Sequence, residues 1–200
     1  MRNNKNGRSN FTPQDKLISV ADKFGNTGIQ KMQGSTVIKY DTLPIDGRTT
    51  FEFFQGSAQR NFPLSNTGSD GNRLGVGNSM IVQRAYLSVV TIDRLTGGVA
   101  TIAPLSIAGF PELCASEFGF EIANSLVIKN VPVMSWLPQF NKNAENQLNT
   151  SFEFDTLVAI QPLLEYVATI RQLGQAAIVD TYLRLTIEGV GSIMAARTTM

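Results

Sequence analysis

The sequence predicts an all-β protein made of two small β-rolls in tandem, with a short N-terminal helix and one or two short helices in loops. Three observations lead to this prediction. Most segments after Ser35 are rich in β-branched and aromatic residues, which favour strands. Gly, Pro, Asn and Asp separate these segments, as expected for turns between strands. Short sequence words also recur in the same order in the two halves, which indicates a duplicated unit.

Several segments have the composition of β-strands. The last of them alternates Leu183, Leu185 and Ile187 with polar residues, which is typical of an antiparallel strand with one solvent-exposed face. The segment that begins at Met80 is apolar on both faces, so we expect it to lie centrally in a sandwich or beneath a partner. The predicted strands are Val37–Leu43, Thr50–Phe54, Met80–Asp93, Val99–Ile107, Phe118–Lys129, Ser151–Ile160 and Ala177–Gly189.

Two segments have helical signals. The first begins at Thr12, a capping residue that precedes a proline, and ends at Gly25. The second begins at Pro162 and ends at Gly174. A further short helical turn is expected after Pro111. The apolar side of the second helix would consist of Leu163, Leu164, Val167, Ile170 and Leu173.

Residues 1–34 are predicted to form a basic N-terminal arm that contains the first helix. The arm has six basic residues against two acidic ones, and its first ten residues are almost entirely polar. One interpretation is a mobile terminus that packs locally. The other is a basic amphipathic arm that contacts a membrane or neighbouring subunits. The basic residues are Arg2, Lys5, Arg8, Lys16, Lys23 and Lys31.

The recurring words predict where the two rolls lie. The first roll would span residues 35–110 and the second residues 111–200. The alternative is that β-rich sequences repeat short apolar words by chance. The recurring pairs are Ser35–Lys39 with Ser125–Lys129, Phe51–Phe53 with Phe152–Phe154, and Tyr86–Leu87 with Tyr182–Leu183.

Composition excludes many functions. Histidine is absent, which removes Ser-His-Asp and Cys-His catalysis and most zinc sites. The single cysteine, Cys114, allows no intrachain disulfide and is expected to be a buried thiol. A net charge of +1 gives no general attraction to nucleic acid, and we recognise neither a signal peptide nor a membrane span. We therefore expect no enzyme activity, no cofactor and no bound metal. The low charged fraction, 16%, suits extensive protein–protein contact.

Two local features are candidate sites. The loop that contains Trp136, Leu137 and Phe140 either plugs one end of a roll or contacts a neighbouring subunit or a glycan. Glu153 and Asp155 lie two residues apart on one strand face. They form either a solvated face or a carboxylate pair of the kind that glycosidases use. We favour the solvated face.

The chain resembles a family of viral shell proteins. Three segments of the chain carry this similarity: Thr50–Gly56 (TFEFFQG), Asn61–Asn66 (NFPLSN) and Arg73–Met80 (RLGVGNSM). Together with the tandem rolls, the basic arm and the absence of histidine, they make the chain resemble the double jelly-roll major capsid proteins of tailless icosahedral phages with an internal membrane. The resemblance is to the short versions found in flavobacterial phages.

The resemblance implies an architecture, partners and a location. The two rolls would stand upright side by side, and three copies would form a pseudo-hexagonal capsomer of an icosahedral shell. The partners would be the chain itself, neighbouring capsomers, a vertex (penton) protein and the internal viral membrane, with no specific nucleic acid and no small-molecule substrate. The protein would be made in the bacterial host cytoplasm and reside in the virion.

A binding module is the main alternative to a shell protein. A β-sandwich of this size could serve as a phage vertex or spike protein, or as a lectin-like receptor-binding protein, and would use the loop around Trp136. An enzyme built on Glu153 and Asp155 is the third interpretation.

Overall fold

The structure is a computed structural model that describes residues 32–55, 62–67, 71–76, 78–94, 100–105, 110–136, 150–174, 176–178 and 180–194. These residues form nine strands, one short α-helix and one turn of 3-10 helix. The strands are β1 (Met32–Pro44), β2 (Thr50–Phe53), β3 (Ser79–Arg94), β4 (Ala100–Leu105), β5 (Glu117–Ile122), β6 (Ser125–Pro132), β7 (Thr150–Ile160), β8 (Tyr166–Arg171) and β9 (Thr181–Met194). The helical elements are α1 (Pro111–Cys114) and the 3-10 turn (Val133–Trp136).

The strands form two antiparallel sheets. In sheet A the order is β1-β9-β3, and the long β3 pairs with β7 along its first half and with β4 along its second half. In sheet B the order is β2-β8-β5-β6. The chain crosses repeatedly between the sheets, and the connectivity matches that of a jelly roll, in which two Greek keys close a sandwich. The prediction of an all-β sandwich is therefore confirmed.

The prediction of two tandem rolls is not confirmed. Sheet A combines β1, β3 and β4 from residues 35–110 with β7 and β9 from residues 111–200, and sheet B joins β2 to β5, β6 and β8. The recurring words wrongly indicated a duplicated unit, because they belong to strands that share one hydrophobic core. Tyr86–Leu87 and Tyr182–Leu183 lie on neighbouring strands, and the two Phe-Glu-Phe words contribute phenylalanines to the same hydrophobic cluster. The described strands thus build one sandwich, without a division at residue 110.

The prediction of a helix after Pro162 is wrong, because this segment contains strand β8. The prediction relied on an apolar side that includes Leu163 and Leu173, but these side chains are 56% and 90% exposed. Pairing with β2 on one side and β5 on the other decides in favour of a strand. The short helix expected after Pro111 is confirmed as α1. The alternate side chains that β8 buries are Tyr166, Ala168 and Ile170.

Aromatic side chains fill the space between the two sheets. The ring of Phe118 in β5 lies 6.2 Å from that of Phe152 in β7, and Phe120 lies 6.2 Å from Phe154 in the same way. Edge-to-face and tilted ring contacts of this kind stabilise a core beyond the area they bury. Strand β9 supplies alternate aliphatic side chains as predicted. Its fully buried aliphatic side chains are those of Leu183, Leu185 and Ile187.

A buried carboxylate joins the two sheets at β1 and β2. Asp41 is 2% exposed, and its carboxylate accepts hydrogen bonds from the N–H of Thr42 at 2.9 Å and of Phe54 at 2.8 Å. Phe54 follows β2 and has a φ of 62°, a left-handed conformation that is unfavourable for a non-glycine residue. Hydrogen bonds to a charged acceptor are stronger than neutral ones, so Asp41 offsets that cost and fixes the chain as it leaves β2.

Strand β9 passes very close to a β-bulge in β3. The register of β3 shifts between Val82 and Arg84 on both of its neighbours. Gly189 of β9 lies opposite Val82, and a Cβ built on it would lie 1.9 Å from the carbonyl oxygen of Ile81. The bulge and the strand can approach this closely only because residue 189 has no side chain.

Replacing Gly189 by alanine is expected to lower the free energy of unfolding by about 2–3 kcal/mol, because the backbone of β3 must move away from the added methyl group. Gly119→Ala is the matched control, since the atoms nearest to its Cβ lie 3.7 Å away. We expect the control to change stability by less than about 1 kcal/mol. Urea unfolding followed by circular dichroism measures both, and equal effects would contradict the close approach of β9 to the bulge.

Candidate functional site

Trp136, a candidate contact residue by sequence, lies in the core. The 3-10 turn places its indole 5.5 Å from the ring of Phe152, nearly parallel to it, and 4.9 Å from Phe118, edge to face. The side chain is only 3% exposed. The structure therefore supports the plug rather than the contact with a neighbour or a glycan. The two other candidates of this loop, Leu137 and Phe140, lie outside the described residues.

The carboxylates of Glu153 and Asp155 border a shallow cavity of about 340 Å³ on sheet A. This cavity forms where the bulge of β3 meets β7 and β9, and bulges often reorient side chains at such places. Acidic residues outnumber basic ones around it. Its lining residues are Gln83, Arg84, Glu153, Phe154, Asp155 and Glu188.

Two polar contacts organise the groups around this cavity. The Arg84 guanidinium forms an ion pair with Glu153, with 3.1 Å between Nη2 and Oε1. The Tyr86 hydroxyl donates a hydrogen bond to Glu188 at 2.8 Å. Burial, followed by the hydrogen bond to Glu188, raises the pKa of Tyr86. Because the Glu153 side chain is 67% exposed and paired with Arg84, the arrangement matches a solvated polar face better than a glycosidase pair.

Sequence reasoning missed Asn66, which covers part of the β1 edge of sheet A. Its side-chain amide donates to the carbonyl oxygen of Ile38 at 2.9 Å and accepts from the N–H of Tyr40 at 2.8 Å. Its backbone N–H donates to the carbonyl oxygen of Tyr40 at 3.3 Å. Asn66 therefore occupies the place that a neighbouring strand would take. The segment NFPLSN was noted in the sequence, but an asparagine in a loop carries no signal for this role.

Arg184 of β9 holds the segment that carries Asn66 against the sheet. Its guanidinium lies over the ring of Tyr40, 4.7 Å from the centroid, and donates hydrogen bonds to the Thr42 hydroxyl at 2.9 Å and to the carbonyl oxygen of Pro63 at 2.8 Å. Burial lowers the pKa of this guanidinium. The cation–π contact and the two hydrogen bonds fix the loop at the edge of β1.

Large apolar side chains are exposed in the loops. Phe62, Val76 and Leu173 are 85%, 78% and 90% exposed. Loops of a rigid sandwich are the usual location of binding residues, and aromatic and aliphatic groups are common at the centres of protein interfaces. These side chains mark the loops as candidate contact surfaces.

The predicted site residues of the basic arm lie outside the described residues, as does the predicted helix 12–25. These site residues are Arg2, Lys5, Arg8, Lys16, Lys23 and Lys31. In the part of the chain that the structure describes, no helix is long and apolar enough to cross a membrane. The same residues contain no group of three or more acidic or cysteine side chains placed to hold a metal ion.

No protein-family model matches the chain, and no curated protein is significantly similar to it.

The burial of Trp136 can be tested directly, because it is the single tryptophan of the chain. We expect the tryptophan fluorescence of the native protein to be blue-shifted and resistant to quenching by acrylamide. Trp136→Ala should lower the free energy of unfolding by about 3–5 kcal/mol. Met134→Ala is the control from the same turn, since Met134 is 48% exposed, and should cost less than about 1 kcal/mol. Emission typical of an indole in water would contradict the core position.

Proposed function

We propose that this chain is a structural protein that associates with copies of itself into a shell, as viral capsid proteins do. The observation that carries the proposal is the connectivity of the two sheets, which matches a jelly roll. Jelly rolls serve as capsid proteins, as lectins and as cupins. Aromatic rings pack between the described strands of the two sheets, with Phe118 against Phe152, so this part of the interior is used for the core.

The surface supports self-association. The whole sequence is only 16% charged, and exposed apolar side chains such as Phe62 and Leu173 occur in loops on the rim of the sandwich. Interfaces are depleted in charge and enriched in aromatic residues at their centres. Many weak contacts of this kind give a stable closed assembly by multivalency.

The proposed copy number differs from that of the double jelly-roll capsid proteins that the sequence resembles. A trimer of two-roll subunits places six rolls in one pseudo-hexagonal capsomer. Because the described strands build one sandwich per chain, six chains would be needed for the same arrangement. The basic arm of residues 1–34 is proposed to contact neighbouring subunits or the internal membrane, with a vertex protein as a further partner and the virion as the location.

A lectin-like or receptor-binding module is the second candidate. The cavity beside Arg84, Glu153 and Glu188 favours it, because the charged side chains that line it can form hydrogen bonds with a polar ligand. A glycan screen of the wild-type chain and of Glu153→Gln tests this candidate. Binding that is lost in the variant would support it.

Light scattering of the full-length chain over a range of concentrations tests the shell proposal. We expect species several times heavier than the 21.8 kDa chain, and closed or hexagonal assemblies by electron microscopy. Deleting residues 1–24 should leave the circular dichroism spectrum of a β-protein intact while reducing assembly. A monomer at all concentrations would contradict the proposal, and an unfolded deletion variant would contradict the peripheral role of the arm.

A further inference from the structure

Two loops, residues 71–76 and 161–165, meet at the end of the sandwich where strand β8 begins, and we call them the β8-end surface. The N–H of Leu163 donates a hydrogen bond to the carbonyl oxygen of Leu74 at 2.9 Å, which joins the two loops. From the other side, the N–H of Ala123, in the turn between β5 and β6, donates to loop 161–165 at 2.8 Å. Hydrogen bonds therefore hold loop 161–165 from both sides.

Leu163 combines an unfavourable backbone conformation with an exposed apolar side chain. Its φ is 63°, in the left-handed region that glycine and asparagine adopt readily and that is rare for a bulky apolar residue. Its side chain is 56% exposed, so packing in the core does not account for a leucine at this position. Residues in such strained conformations cluster at binding and switch sites. Leucine costs stability here, and a contact with a second molecule would offset that cost.

The β8-end surface also carries a second exposed apolar side chain and one ion pair. Val76, two residues after Leu74, is 78% exposed. The guanidinium of Arg73 forms an ion pair with the carboxylate of Glu165, and these side chains are 50% and 46% exposed. They are the only charged residues in the sequence of the two loops. The surface therefore presents apolar groups beside one positive and one negative charge, with no net charge.

We infer that the β8-end surface binds the same surface of a second copy of this chain about a two-fold axis, with Leu163 near the axis. This inference rests on the proposed self-association and identifies one of its contacts. Charge complementarity favours a second copy as the partner. About a two-fold axis, Arg73 of each copy faces Glu165 of the other, so the pair of opposite charges is complementary to itself. The surface has no excess of basic groups to attract an anionic lipid surface or nucleic acid.

Two physical effects favour this contact. Packing Leu163 and Val76 against the same residues of the second copy removes apolar side chains from water, which is the main favourable contribution to most protein association. Because hydrogen bonds already hold loop 161–165 in place, little conformational freedom is lost on binding. The charged pair then lies beside the apolar centre, as in interfaces with an apolar core and a polar periphery.

A charge-swap experiment on the full-length chain tests the two-fold contact. Arg73→Glu makes the surface acidic and Glu165→Arg makes it basic, so we expect either variant alone to raise the dissociation constant of the pair by about tenfold or more. An equimolar mixture of the two should regain association as a mixed pair, measured by native mass spectrometry. The ion pair of Asp46 and Arg48 is the matched control, since it is similarly exposed and lies beside the other end of β8. Asp46→Arg and Arg48→Glu should each associate like the wild type.

Leu163→Asn tests the use of the strained leucine. Asparagine tolerates the left-handed conformation and exposes a polar amide, so the variant should unfold at a urea concentration at least as high as the wild type. Its dissociation constant should nevertheless rise by about tenfold or more. Leu157→Asn is the control, because Leu157 of β7 has a similar exposure of 50%, and it should associate like the wild type.

The outcomes separate this inference from the proposed function. Restored association in the mixture, after loss in both single charge variants that retain the wild-type circular dichroism spectrum, supports the contact, as does weaker association of a stable Leu163→Asn variant. If the wild type associates and these three variants associate as well as it does, the contact through the β8-end surface is wrong and the shell proposal stands. Equal losses in the control variants would also contradict the contact. A wild type that is monomeric at every concentration overturns both.

Discussion

The pairing of β9 with both β1 and β3 is the constraint on which the rest of the structure depends. All thirteen residues of β1 pair with β9 on one side, and β3 pairs with β9 on the other. A strand from near the C-terminus therefore separates two strands from the first half of the chain. These contacts join residues far apart in sequence, so the sheet can form only after most of the chain is available. The glycine at position 189 lets β9 lie against the bulge of β3 without displacing it.

The packing of the two sheets against each other bears on where binding sites can lie. The inner faces of both sheets are occupied by one cluster of buried side chains, in which Phe120 packs on Phe154 and Trp136 on Phe152. In the described residues the interior is thus used for stability, which directs attention to the loops and outer faces as sites of recognition. Asn66 and Arg184 show how one edge is managed, because Asn66 bonds peptide groups of residues 38 and 40 and Arg184 fixes the loop that carries it.

Sequence patterns predicted the strands well where burial alternates. Leu183, Leu185 and Ile187 face the core as their spacing indicates, and the apolar segment from Met80 became the central strand β3. In β8 the spacing of apolar residues suits either a helix or a strand, and the segment forms a strand because it pairs with β2 and β5. Local periodicity cannot reveal such partners. The recurring words failed for a similar reason, because one core selects similar residues on several strands and similarity alone does not say which strands pair.

The candidate contacts were harder to predict than the fold. Tryptophan is a residue type common at interfaces, but Trp136 lies in the core. Its position there depends on the 3-10 turn after β6. Asn66 acts through hydrogen bonds to residues 38 and 40, more than twenty positions earlier in the chain. No short motif encodes a contact of that separation.

Disulfide trapping between β1 and β9 tests the single sandwich most directly. Ile38 and Glu188 lie opposite each other across the two strands, so cysteines at both positions should form an intramolecular disulfide under mild oxidation. Cysteines at Ile38 and Arg184 serve as the control, because they lie four residues out of register. We predict a cross-linked monomer for the first pair and none for the second, identified by peptide mass spectrometry. Two separate rolls would place these strands in different units, and failure of the first pair to cross-link in a folded chain would contradict the account.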